Sequence, residues 1–167
     1  PGIDRAEFGA NMGAMVSEGQ RNRAVGLIER AQSEGAVIAA GGTAMDREGF
    51  FLHPTILTGV TPSMDIARTE VFGPVLSVLS FEDEAEAIRI ANDSDYGLVG
   101  GVFTQDIDRA MRVARDVGAG QIFINEWYAG GVETPFGGYK QSGYGREKGR
   151  EALMNYVQTK NIGIRIG

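Results

Sequence analysis

Residues 75–125 read VLSVLSFEDEAEAIRIANDSDYGLVGGVFTQDIDRAMRVARDVGAGQIFIN. An apolar run over residues 75–81 predicts a strand, and Asp83 with Glu86 three residues later predicts a capped helix start. Asn92, Asp93 and Ser94 stop that helix. A second strand is expected over residues 99–103. The next helix keeps Ile107, Ala110, Met111, Ala114 and Val117 on one face, with Arg109, Arg112 and Arg115 read as a solvated surface. Gly118 ends it, and residues 121–125 make a third strand. Strand, helix, strand, helix, strand with tight loops predicts an α/β fold on a parallel, doubly wound sheet with right-handed crossovers. Ligands bind such sheets beyond the carboxyl ends of the strands. The loop over residues 126–148, with Trp127, Tyr128, Phe136, Tyr139 and Tyr144, is therefore the expected lining of a site.

The residues feeding the first of these strands are Thr69-Glu70-Val71-Phe72-Gly73-Pro74-Val75. An extended chain points Glu70 and Phe72 the same way. A carboxylate beside a phenyl ring suits a sugar joined to a flat ring, such as a nicotinamide riboside: the acid accepts hydrogen bonds from the ribose hydroxyls and the ring covers one nicotinamide face. The same pair also fits a surface glutamate next to a core phenylalanine.

Further upstream, residues 1–16 are rich in Gly and Met without a period. Ser17 with Gln20 forms a capping-box pattern, followed by an apolar stripe of Ala24, Val25, Ile28 and Ala31 and a left-handed stop at Gly35. Strands are expected over residues 36–40 and 49–57, and Thr61-Pro62 reads as the start of a short helix ending near Thr69. At the other end, a short helix after Arg146-Glu147 reaches about Asn155. Residues 156–166 then alternate as a β-type segment with Ile162, Ile164 and Ile166 on one face, either completing the chain's own sheet or pairing with another subunit.

The 167 residues suffice for one domain with a real core. The net charge of −6 argues against a nucleic-acid partner, which needs a basic face. No cysteine is present, so disulfides, thiolate metal sites and thiol nucleophiles are excluded within the chain. His53, the single histidine, has no second ligand or base spaced to work with it, and no metal-type cluster of His, Asp and Glu occurs. No apolar window is long enough to span a membrane and no signal pattern opens the chain, so a cytoplasmic protein is expected. Its first residue, Pro1, is not methionine, which suggests a piece of a longer chain. Residues 143–149 miss a G-x-G-x-x-G by one position, and Gln141 after Lys140 stands where a phosphate loop needs Ser or Thr.

Together these stretches resemble a known family. MGAMVSEGQ at residues 12–20, EVFGPV at 70–75, NDSDYGL at 92–98, GVFT at 101–104 and PFGGYKQSGYGRE at 135–147 occur in this order and spacing in the NAD(P)-dependent aldehyde dehydrogenase superfamily. The resemblance runs nearly end to end. It implies oxidation of an aldehyde to a carboxylic acid with NAD or NADP, through a cysteine nucleophile, a glutamate base and a Rossmann-type domain that all precede this chain. The chain would then be the C-terminal part of the catalytic domain (residues 1–155) plus an oligomerisation strand (residues 156–167), inactive alone and part of a homodimer or homotetramer.

By the same resemblance Glu70 holds the nicotinamide ribose, Phe72 lies beside the nicotinamide, and Phe136, with the variable loop at Trp127 and Tyr128, lines the substrate tunnel. Glu147 matches a proton-relaying glutamate of some members. Two departures stand out: Ala14 where proline is usual, and Gln158 where some members carry a glutamate bridging the dimer. Lys140 and Arg146 are read as packing or interface residues before anion binders. The rival from another class is a non-catalytic assembly module derived from the same fold, which a cysteine shortly before Pro1 would exclude. The choice of aldehyde, and of NAD over NADP, is not written in these residues.

Overall fold

Ser17 caps helix α1 (Glu18–Ser33), its hydroxyl accepting the Gln20 N–H at 3.2 Å. The helix stops as the glycine predicts: Gly35 takes φ 109°, and the Ala36 N–H returns to the Ala31 carbonyl at 2.9 Å. The computed structural model describes residues 12–127 and 130–167, and the chain divides into two units, Pro1–Phe81 and Glu82–Gly167.

In the first unit α1 buries Ala24, Leu27, Ile28 and Ala31. These share a core with Leu57, Val60, Met64, Ile66 and Val71. The sheet runs β1 (Val37–Ala40), β2 (Thr55–Thr58), β3 (Val75–Ser77) in that spatial order, β1/β2 antiparallel and β2/β3 parallel. Fully burying Leu27, Ile28 and Leu57 contributes about 2 kcal/mol each. Three expectations shift. Leu27 replaces Val25 at the centre of the helix stripe. The strand expected over residues 49–57 narrows to β2, its upstream part making a lone bridge from Leu52 to Ala44. Helix α2 (Asp65–Arg68) starts four residues after Thr61, because the Thr61 hydroxyl pairs with Ser63 Oγ at 3.0 Å and the segment first closes a turn, Met64 N–H to Thr61 carbonyl.

The second unit comprises α3 (Glu84–Asn92), β4 (Tyr96–Gly97), β5 (Val99–Val102), α4 (Ile107–Asp116), β6 (Gln121–Ile124), β7 (Tyr139–Lys140) and a 3₁₀ helix Glu151–Tyr156. β5–α4–β6 is a parallel crossover unit with Val99 opposite Gln121 and Val102 opposite Ile124, while β4 and β7 pair antiparallel. The parallel winding expected over residues 75–125 is thus divided: β3 pairs with β2, β5 with β6. Both helices are capped by acids: Asp83, as expected, accepts the Glu86 N–H at 2.8 Å, and Asp106, which was not singled out from the sequence, accepts the Asp108 and Arg109 N–H groups. Arg109 and Arg112 are more than solvated surface, since both bind Glu84, Arg112 bidentately at 2.8 and 3.0 Å.

Among the described residues of this unit, Ala110 and Phe123 are the buried apolar side chains, whereas Phe103, Ile107 and Met111 are exposed. That much open apolar surface is suited to cover by other protein. Residues 157–167 join no strand among the described residues and are exposed throughout. No helix among the described residues is long and apolar enough to cross a membrane.

Candidate functional site

The loop carrying Glu70 and Phe72 lies against the first turn and a half of α1. Gln20 Nε2 donates to the carbonyls of Val71 (3.1 Å) and Phe72 (3.3 Å), and Arg23 Nη1 to those of Glu70 and Val71, both at 3.3 Å. Val71 is buried between them and anchors the loop in the core. The chain is not extended through this point. Phe72 has φ 55°, the left-handed region, where an aromatic residue costs roughly 1–3 kcal/mol. This is a correction to the same-side geometry expected of an extended chain, which cannot pass through a left-handed residue.

The Phe72 ring is 71% exposed, and Glu70 is exposed with no side chain among the described residues pairing with its carboxylate. An open acceptor and an open ring two residues apart, on a backbone tied down at three carbonyls, fit a polar, flat-ringed ligand. Gly73 permits this close seat: a Cβ there would lie 3.0 Å from Met15 Cε.

In the second unit the loop after β6 is folded back on itself. Phe136 and Glu147 form an antiparallel bridge, each N–H 2.7 Å from the other's carbonyl. Arg146 stacks over the Tyr139 ring at 5.3 Å and donates to the Gly138 and Gly145 carbonyls. Lys140 Nζ holds the Asn92 and Ser94 carbonyls at 2.8 Å, closing the end of α3. Both cations are thereby committed to packing, as read from the sequence. Phe136, Gly138, Ser142, Arg146, Glu147 and Asn155 line a cavity of about 580 Å³, and Lys148 Nζ sits 5.5 Å from the centre of the Phe136 ring.

Trp127 lies over Gly101 of β5, where a Cβ would come within 3.0 Å of its ring, and tilts against Phe123 at 5.9 Å. Asn125, at φ 57°, clamps the ends of β5 and β6: its side chain accepts from the Thr104 N–H at 2.7 Å and donates to the Thr104 carbonyl at 2.8 Å. Tyr128 lies outside the described residues. The structure thus brings Glu70 and Phe72 onto one loop, and Phe136 and Glu147 onto one bridge.

Gln20, Arg23, Asn125 and Lys148 were not legible as site residues. The capping-box pattern accounted for Gln20, but its side chain reaches across 51 positions, a distance no local motif encodes.

Residues 3–162 match the sequence profile of the aldehyde dehydrogenase family. The chain belongs to that family. Among aldehyde dehydrogenases of known sequence, the betaine aldehyde dehydrogenase of Brucella anthropi is 47% identical over 98% of this chain and that of Brucella melitensis biotype 2 is 45% identical over the same share. The chain spans about a third of their length, 34% in each case. Of solved structures, the betaine aldehyde dehydrogenase of Staphylococcus aureus in complex with NAD+ matches 89% of the chain with a TM-score of 0.85 at 46% identity, over 30% of its own length. Its apo form, carrying one substitution, matches 92% with a TM-score of 0.88 at 45% identity, over 31% of its own length. The mixed α/β fold with parallel segments is that of the aldehyde dehydrogenases.

Proposed function

We propose that the whole protein oxidises an aldehyde to the carboxylic acid with NAD+ or NADP+, and that this chain supplies the part that seats the nicotinamide end of the cofactor. The observation that carries the proposal is the 70–72 loop: an exposed carboxylate with no side-chain partner among the described residues and an exposed ring, held on a strained backbone. Strain of this kind persists only where surrounding bonds over-determine it, and it clusters at ligand sites. NAD+ bound in the Staphylococcus aureus relative supports the assignment.

When bound, the cofactor supplies the hydride acceptor. Glu70 accepts hydrogen bonds from the ribose hydroxyls, a charged acceptor contributing roughly 1.5–3 kcal/mol per bond where water is excluded. Phe72 covers one face of the nicotinamide and limits its tilt. Phe136 and Trp127, with Tyr128, line the substrate path, and Glu147, on the rim of the cavity beside Phe136, exchanges protons with solvent. The thiolate that the family's chemistry requires comes from elsewhere in the protein, since this chain has no cysteine. Three exposed isoleucines near the C-terminus support a homo-oligomer, with residues 156–167 as its pairing strand.

The test is NAD(P)H formation by the full-length protein on a panel of uncharged, anionic and trimethylammonio aldehydes, with NAD+ and then NADP+. Aldehyde-dependent reduction that is lost in the Glu70→Ala/Phe72→Ala double variant is the expected result. No turnover of any aldehyde with either cofactor would overturn the proposal.

A further inference from the structure

We propose that Lys148 selects the substrate by charge, so that the path beside Phe136 takes an aldehyde bearing a carboxylate at its far end and turns away one bearing a quaternary ammonium. This deepens the aldehyde reading above and rests on it. Lys148 Nζ lies 5.5 Å from the centre of the Phe136 ring. The ring face that would hold a cationic group therefore already meets a cation of the chain.

The backbone bends to bring it there. Phe136 and Glu147 face each other across their bridge, and in a continued strand residue 148 would point to the opposite side from residue 147. Lys148 instead takes φ 57°, a left-handed conformation that a lysine adopts at a cost. Both flanks pin it: Glu147 and Phe136 exchange N–H···O bonds of 2.7 Å, and the Gly149 N–H reaches the Val132 carbonyl at 2.8 Å.

Positive charge is in excess at this corner. Of the side chains lining the cavity, Arg146 and Glu147 are charged and offset each other. Lys148 is left over: it is exposed, and no carboxylate among the described residues pairs with its ammonium. An ammonium of this kind, set against an apolar ring, attracts an anion and repels a cation within its screening distance.

The test uses the full-length protein, with whichever of NAD+ and NADP+ it reduces, and three aldehydes of equal chain length ending in a methyl, a carboxylate or a trimethylammonio group. The readout is the ratio of kcat/KM for the carboxylate substrate to that for the trimethylammonio substrate, which cancels any general loss of activity. Wild type should prefer the carboxylate by about tenfold or more, and the preference should shrink with added salt. Lys148→Leu should lower the ratio about tenfold, Lys148→Glu should invert it and Lys148→Arg should retain it.

A wild-type preference for the trimethylammonio substrate would overturn the proposal. So would an unchanged ratio in Lys148→Leu and Lys148→Glu, which would place the discrimination in other groups. Where a variant does not fold, the wild-type preference and its salt dependence still decide. Failure of the underlying reading looks different: none of the three aldehydes is oxidised with either cofactor, and both readings fall together.

Discussion

Phe72 shows how a single residue can be held against its own preference. A phenylalanine at φ 55° gives up the local stability that glycine would retain, and with its ring open to solvent it recovers little by packing. Phe72→Gly should therefore leave the melting temperature of the full-length protein unchanged or raise it by an amount equivalent to about 1 kcal/mol. The same variant should weaken NADH binding, so calorimetric melting and cofactor titration are expected to move in opposite directions. Lys148 invites a second substitution. Its ammonium already occupies a face of the Phe136 ring, a face that a cationic substrate would need. Lys148→Leu should raise kcat/KM for a trimethylammonio aldehyde by about threefold to tenfold relative to an uncharged aldehyde of the same length. An equal change for both substrates would place the lysine off the substrate path. Glu70, Phe72 and Phe136 could be singled out from the sequence because each sits in a contiguous motif. Lys148 could not, because its meaning depends on a bridge that folds residue 147 back on residue 136.

Elements were legible where a cap and a period coincided, as in α1 and α3, or where an apolar stripe ran to a glycine stop, as in α4, and misplaced where tertiary pairing set the limits. β2 and β3 are short because their ladder partners are short, and no propensity in residues 49–57 or 75–81 marks where pairing ends. Between α3 and α4 the bidentate Arg112–Glu84 pair joins residues 28 positions apart. The Arg112 hydrogen bonds hold the Glu84 carboxyl below its ordinary value of 4.5, and Glu84 in turn raises Arg112. A carboxyl lowered in the folded state adds stability that is complete above the unfolded value and lost as pH falls through the folded one. The melting difference between wild type and Glu84→Gln should thus be present at neutral pH, shrink as the pH falls below 4.5, and shrink also with added salt. Asn125 tests the β5–β6 clamp separately. Glycine there keeps the φ of 57° and deletes both bonds to Thr104, so Asn125→Gly should cost about 1 kcal/mol in denaturant melts. It should also alter substrate KM through the Trp127 loop.

At the scale of the molecule the two units differ in how much they bury. The first closes a core around Leu27, Ile28 and Leu57, while the second leaves Ile107, Met111 and Phe103 open. The C-terminal segment is the extreme case. Ile162, Ile164 and Ile166 stand at alternate positions in the sequence and are 73%, 79% and 91% exposed, and no strand among the described residues pairs with them. Burying one isoleucine contributes roughly 1.5–3 kcal/mol, so three in register leave a large favourable term unused by the chain alone. An alternating apolar segment with unpaired backbone is also a template for another edge. A second copy, as proposed above, would satisfy both needs at once, because symmetry supplies the same segment or its docking edge on each subunit. Ile164→Lys places a charge in the middle of that segment without touching the 70–72 loop or the Asn125 clamp. In the full-length protein at micromolar concentration, sedimentation velocity should then show a smaller species than wild type, with the affinity for the adenosine diphosphate half of the cofactor unchanged. A wild-type sedimentation coefficient in the variant would mean that the segment is covered within one subunit and that assembly uses another surface.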